Sequence, residues 1–353
     1  MFSDLPDPRA PNAHHRLSDL LMIALCASLC GAQGASDYAQ FARSKRALLE
    51  MLLGPFDPPS HDTFSRVFRR LDPEAFAAAF ADFARGFAGA LEGVVAIDGK
   101  AMRRAYEVGG RAWPPVVVSA WAAQARLVLG ALTAGRAGEG EAETAIRLIG
   151  MLDLSGATVT GDALHCHRRM AAAITARGGA YALALKGNQS GLKREAETLL
   201  AAQDPVATDT VSEVSHGRSE RRTGRVVSAA GMGARHRFEG LAAIAEITCE
   251  RGGAAPQRRL YLLSRHLTPA EAIATVRAHW SVENTLHWSL DVTLAEDNGR
   301  ARTDHAPANI ALLTRLAMTL LQKIDDPGTS LRRKIKRCAW EDDYLINAIA
   351  HMR

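Results

Sequence analysis

Three acidic residues stand where α/β proteins place their chemistry. Asp98 closes the buried run "VVAID", Asp162 closes "ATVTGD", and Glu283 lies in a helical stretch near the C-terminus. In open α/β sheets, functional side chains gather at the carboxyl ends of strands. Two carboxylates on neighbouring strands and a third on a packed helix make an all-oxygen site. Such a site suits Mg²⁺, which keeps several waters and takes one or two carboxylates plus substrate phosphates. Two ions roughly 3.5–4 Å apart activate a water or a 3′-OH and stabilise the leaving oxygen of an in-line phosphoryl transfer. Gly99 and Gly161 flank the two aspartates and leave room for close backbone approach. Taken singly, each acid is as much at home in a turn or a cap. Asp291, Glu296 and Asp297 follow closely enough to be alternatives for the third position.

Other residues invite a polyanion. Lys186 and Asn188 leave a strand and can meet a phosphate or the DNA backbone, or can form a plain strand-exit turn. The segment "SHGRSERR" carries His216, Arg218, Arg221 and Arg222. Arginine forks match phosphate oxygens, and charged residues on a β edge also guard against aggregation. The C-terminal run Arg332, Arg333, Lys334, Lys336 and Arg337 reads as a backbone-tracking patch or as a solvated face. His165, Cys166 and His167 lack the spacing and the distant partner pair of a zinc site.

The surrounding elements must bring the acids together. Residues 1–92 read as four helices forming an all-α unit. "LSDLLMIALCASLCGA" is capped at Ser18 and stopped at Gly31, and one continuous helix spans Ser36 to Gly54. Cys26 and Cys30 are one turn apart on the first helix and belong to its core. From Gly93 the order is β-β-β-α-β-α-β, a mixed sheet with helices packed on it. Residues 190–268 form a β-rich insertion opened by a polar helix. Thr268 and Pro269 then start one long helix through "HWSVENTLHWSLDV", followed by another at Pro307–Lys323. A basic tail, 326–353, closes the chain.

Composition sets the frame. The chain has 353 residues, 47% hydrophobic and 23% charged, which excludes disorder and a coiled-coil rod. Lys and Arg total 43 against 38 acids, a net charge of +5 that permits a polyanionic partner. Five scattered cysteines point away from a disulfide framework and toward a reducing compartment. The apolar run Leu20–Ala32 is too short to span a bilayer, and the N-terminus lacks the order of a signal peptide. The expectation is a soluble cytoplasmic protein.

The blocks "VVAIDGK", "VTGDALHCHRRMAAAITARGGAYALALKGNQ", "SHGRSERR" and "VRAHWSVENTLHWSLDVTLAEDNGRAR" together resemble the insertion-sequence DDE transposases. The ISAs-type, H-repeat-associated group is the nearest. "LSDLLMIALCASLCGAQGASDYAQFARSK" and "PSHDTFSRVFRRLDPEAF" resemble the helical domain that precedes the catalytic domain there. The resemblance implies an RNase H-like core interrupted by a β-rich insertion between the second and third acids. The spacings allow this: 64 residues separate Asp98 from Asp162, and 121 separate Asp162 from Glu283. It implies that Asp98, Asp162 and Glu283 are the catalytic acids and hold two Mg²⁺ ions, with Mn²⁺ able to substitute. Related transposases carry Tyr, Arg, Glu and Lys on the last helix, where this chain has Val276, His279, Glu283 and Leu290. It carries instead the subgroup's "HW..EN..HW" pattern as His279, Trp280, Glu283, Asn284, His287 and Trp288. By resemblance His279, Trp280, Asn284 and His287 join Lys186, Asn188, His216, Arg218 and Arg222 as candidate DNA contacts. On a helix, both tryptophans are more often packing residues than DNA contacts. The implied partners are the inverted-repeat ends and target of double-stranded DNA, bound by a homodimer near the bacterial nucleoid, with no membrane. The alternatives are an RNase H-like nuclease without strand transfer and an inactive, domesticated DNA-binding derivative.

Overall fold

Continuous apolar runs dictate the centre of the molecule. β1 (Gly93–Ala101), β2 (Val116–Ala122), β3 (Leu127–Ala134), β4 (Ala157–Gly161) and β5 (Ala180–Leu185) are rich in Val, Ala, Leu and Ile and almost wholly buried. Strands covered on both faces read in this way. The structure is a computed structural model and describes residues 2–88, 92–105, 114–134, 139–203, 208–215, 218–229, 231–252 and 254–350. β1 pairs antiparallel with β2, and β2 with β3. β1, β4 and β5 run parallel, with Ile97 opposite Gly161. Helical crossovers supply the parallel connections: α6 (Glu141–Gly150), counting the five helices described below, and α7 (Arg168–Ala176).

The β-rich segment does not form a separate layer. After α8 (Ser190–Ala202) come β6 (Thr208–Ser215), β7 (Arg218–Ser228), the short α9 (Met232–His236), β8 (Ala243–Arg251) and β9 (Gln257–Leu263). β9 pairs antiparallel with β5, from Ala182 opposite Leu263 to Leu185 opposite Leu260. One nine-stranded sheet results, in the order β3-β2-β1-β4-β5-β9-β8-β7-β6.

α10 (Pro269–His279) lies across this sheet, contacting β1, β4 and β7. The expected cap is present: Thr268 Oγ1 accepts from the Glu271 amide, while the Glu271 carboxylate accepts from the Thr268 amide. The single long helix expected here is not. Regular α-winding stops at His279, and Val282–His287 and Ser289–Thr293 are wound as π-helix. Val282, Leu286, Leu290 and Leu294 recur every fourth residue and are all buried. Beside them Ser281, His287 and Asp291 each meet a polar group of the sheet. These two sets of contacts override the regular hydrogen-bond ladder; π-turns of this kind recur at functional sites.

The N-terminal helices are α1 (Leu17–Leu29), α2 (Ala35–Ser44), α3 (Arg46–Leu53), α4 (His61–Arg70) and α5 (Pro73–Ala88). Ser18 lies inside α1 rather than at its cap, which is Arg16. The expected single helix from Ser36 divides at Lys45, whose Nζ reaches Asp342 at 2.6 Å. α5 packs on β3, and α11 (Ala306–Lys323) packs on β3, α1, α4 and α5, so helices and sheet share one apolar core. No helix among the described residues is long and apolar enough to cross a membrane.

The basic tail folds as α12 (Leu331–Trp340) and α13 (Asp342–Ile349) against α1 and α11. Two of its five cations face inward. Lys334 is buried and donates to the carbonyls of Leu321 (3.2 Å) and Ile324 (2.8 Å), closing the C-terminal end of α11. Arg337 pairs with Asp326 and Glu341 and stacks over Tyr344. Lys334→Met leaves two buried carbonyls without donors. The expected loss is about 1–3 kcal/mol, checked by urea unfolding; an unchanged midpoint refutes the buried contact.

Candidate active site

Asp98 lies inside β1 rather than at its end as expected, because pairing with β2 carries the strand on to Ala101, and Asp162 directly follows the last residue of β4, the neighbouring parallel strand. Glu283 comes from the π-helical segment after α10. All three line one cleft of about 800 Å³, between the strand ends and α10. The structure thus brings the three acids to a common space. Among the described residues, no three His, Cys, Asp or Glu side chains stand close enough, as placed, to close around an ion.

The charge distribution tells what the cleft fits. Burial pushes the Asp98 carboxyl up to about 7, and the negative charges of Glu141, Glu283 and Asp162 push in the same direction against the Gly99 N–H. The nearest histidine, His287, has Nδ1 3.7 Å from Asp98 Oδ2 and offers no compensation. Burial, then Arg315 and Lys100, hold it down to about 3, so it stays neutral. An all-oxygen cluster of converging negative charge fits a hard divalent cation. Glu141 was not selected from sequence. It approaches from α6 on the opposite face, where a Cβ at Gly99 would collide with its carboxylate. Its Oε1 is 3.3 Å from Nε2 of the fully buried His165, itself 4.0 Å from Asp162.

Metal-free protein therefore carries a penalty at Asp98. The folded pKa lies above the ordinary 3.8, so the penalty is absent below about pH 4. It grows as pH rises and is complete above about pH 7. At about 1.4 kcal/mol per unit it is on the order of 4 kcal/mol, an upper bound because the cleft opens to water. Asp98→Asn is expected to raise the melting temperature in EDTA at pH 8 and to have no such effect near pH 4. Mg²⁺ should stabilise the parent more than the variant. Differential scanning fluorimetry across pH checks this; a gain independent of pH sinks it.

Most of the other sequence-selected residues fall into two groups. Lys186 is exposed on the cleft wall, and Trp280 lines the same cleft, 38% exposed, with the Arg259 guanidinium 5.2 Å from its ring. Asn284 is exposed beside Glu283. A second group faces the protein. Asn188 Nδ2 donates to the carbonyl of Ala163 at 2.6 Å and braces the loop that carries Asp162. His279 Nδ1 is 3.0 Å from Thr160 Oγ1, and burial holds its pKa down to about 4; it is a neutral strut rather than a cation for phosphate. His287 likewise turns to Asp98. Arg222 is held by Glu220. Arg218 opens β7 opposite Ser215, and His216 lies outside the described residues. His167 caps α7 by accepting from the Met170 amide, and Cys166 is buried in the core.

The alternatives for the third acid are engaged elsewhere. Asp291, Glu296 and Asp297 all surround Lys100, and Glu296 also pairs with Arg315. None of the three lines the cleft. Lys100 went unselected in sequence, although "DGK" places it two residues beyond Asp98 and so on the same strand face.

Comparison with known proteins decides the family. The family model described as the transposase DDE domain matches residues 89–320, and the model described as DDE_Tnp_1-associated matches residues 1–84. The chain belongs to the DDE transposase family. Two relatives match nearly the full length and a third matches part of it. YhhI of Escherichia coli (strain K12), named "H repeat-associated putative transposase", is 32% identical over 99% of this chain and 96% of its own. YncI of Escherichia coli O157:H7, named "Putative transposase", is 29% identical over 99% of this chain and 93% of its own. A protein of Xanthobacter autotrophicus, named for the dhlA 3′ region, is 40% identical over 63% of this chain and 77% of its own. The H-repeat-associated resemblance read from the sequence blocks is thereby established.

Proposed function

We propose that this DDE transposase cuts the ends of an insertion sequence and joins the freed 3′-OH to target DNA. The observation that carries the reading is the convergence of Asp98, Asp162 and Glu283 on one cleft, with the Asp98 carboxyl pushed up by burial and, less, by its acidic neighbours. These three carboxylates would hold two Mg²⁺ ions, or Mn²⁺ in their place. Such ions, when bound, activate a water or 3′-OH and stabilise the leaving oxygen. No serine or tyrosine nucleophile is required of the chain. Lys186 and Arg259, on the cleft walls, would neutralise phosphates, and Trp280 would present a flat face to a base. The five-strand order β3-β2-β1-β4-β5, with only β2 antiparallel to the rest, supports an RNase H-like core over 93–325. Helices of residues 1–92 would hold the element's ends, and pairing two ends calls for a dimer on DNA.

The test incubates the protein with a labelled element end, a target plasmid and Mg²⁺. Joined product establishes transposition. Cleavage without joining favours a nuclease, and binding without either favours a domesticated binding protein.

A further inference from the structure

Three polar contacts fasten the segment carrying Glu283 to the sheet, and a fourth polar pair lies face to face beside them. Thr160 on β4 meets His279 at 3.0 Å, and the indole N–H of Trp121 on β2 donates to Ser281 Oγ at 3.0 Å. On β1, Asp98 faces His287 at 3.7 Å, and Lys100 Nζ meets Asp291 Oδ1 at 2.7 Å. The last two contacts lie side by side. Asp98 and Lys100 are two apart on one strand face, while Glu283, His287 and Asp291 follow every fourth residue on the π-helical segment.

Lys100 is the strongest of these ties. Its side chain is only 8% exposed, and Glu296 (3.4 Å) and Asp297 (3.3 Å) complete its surroundings. All three carboxylates belong to the chain that follows Glu283 directly. A buried ammonium ringed by carboxylates of one segment fixes that segment more firmly than apolar packing, which tolerates sliding. Glu283 itself is exposed and, among the described residues, no ion pair holds its carboxylate, so its placement against Asp98 depends on the backbone beneath it.

We infer that Lys100 and Asp291 are positioning residues for the metal site, locking the Glu283 segment to the Asp98 strand so that the carboxylates close on an ion together. The inference rests on the metal assignment made above. Outer groups that orient metal ligands typically change affinity by about 10–100-fold when removed.

The experiment titrates the full-length protein with Mn²⁺ alone and follows free ion by electron paramagnetic resonance. The variants are Asp291→Asn, which leaves Lys100 paired with Glu296 and Asp297, and Lys100→Met, which removes the whole tie. Each should weaken Mn²⁺ binding about tenfold or more. Both should raise the Mg²⁺ concentration for half-maximal joining more than they lower the rate at saturating Mg²⁺. A purely structural role would lower the melting temperature and leave the Mn²⁺ affinity of the folded protein unchanged. Asp98→Asn separates the two readings. If it binds Mn²⁺ like the parent, the metal assignment fails and this inference with it. If it abolishes binding while Asp291→Asn and Lys100→Met bind like the parent, the metal assignment stands and the positioning role is overturned.

Discussion

Asp98→Asn, Asp162→Asn and Glu283→Gln are each expected to lower strand joining by about 10³-fold or more while leaving binding to an element end within a few-fold of the parent. An amide keeps the shape of the carboxylate and loses its charge. A divalent ion held by three carboxylates then loses one of its anionic ligands, and the charge stabilisation it gives an in-line transfer is several kcal/mol. At about 1.4 kcal/mol per decade this reaches roughly 10³. End binding depends instead on cations that contact the DNA backbone, so it should survive. The measurement is a time course of joined product from a labelled end, beside a gel-shift titration. One variant joining at the parental rate removes that residue from the site. Loss of joining and binding together would mean that the substitution acts through the fold. The melting curve of Asp98→Asn distinguishes these, because that variant should be stabilised at pH 8.

Asp98 and Asp162 stood out in the sequence because each follows a run of chain that can only be a buried strand. "VVAID" and "ATVTGD" have no polar residue able to face solvent before the acid except threonine, although β1 does not stop at Asp98 but continues through Gly99 and Lys100 to Ala101. Glu283 was less visible. No alternation or capping residue marks it, and the blocks shared with transposases singled it out. Why Glu283, and not Asp291 or Glu296, faces the cleft depends on π-winding that four-residue spacing alone does not announce. It depends equally on Lys100, which claims the other acids from across the sheet. Continuity of the sheet was hidden for a related reason. β9 finds β5 from more than seventy residues away, and pairing at that distance leaves no local signal. The tail misled because a run of cations looks solvated. Lys334 turns inward only because α11 ends nearby with carbonyls to satisfy. His279 read as a donor to phosphate and His287 as a DNA contact; burial makes both neutral and turns them to Thr160 and Asp98.

Arg315→Ala is expected to destabilise the protein by about 3–5 kcal/mol, the largest effect on stability among these substitutions. Arg315 lies in α11 and is fully buried. Its Nε donates to Ser119 Oγ on β2 at 3.0 Å, and its Nη1 donates to the Glu296 carboxylate and to the Ala311 carbonyl. Ser119 pairs in register with Asp98, so this guanidinium joins the helix, the sheet beside the acids and the chain that follows Glu283. Glu296 is almost as buried as its partner. Removing Arg315 leaves that carboxylate with Lys100 at 3.4 Å, already shared with Asp291 and Asp297. The loss therefore measures an uncompensated buried charge more than the strength of a bond, and it has a diagnostic partner. Arg315→Met combined with Glu296→Leu replaces both charges by side chains of similar volume and should recover most of the stability, since buried pairs are often no better than apolar substitutes. Urea unfolding of the two single variants and the double variant gives the coupling directly. Additive losses would show that the two residues do not form one buried pair. Recovery of stability without recovery of joining would place the pair's importance in holding the Glu283 segment, not in holding the fold.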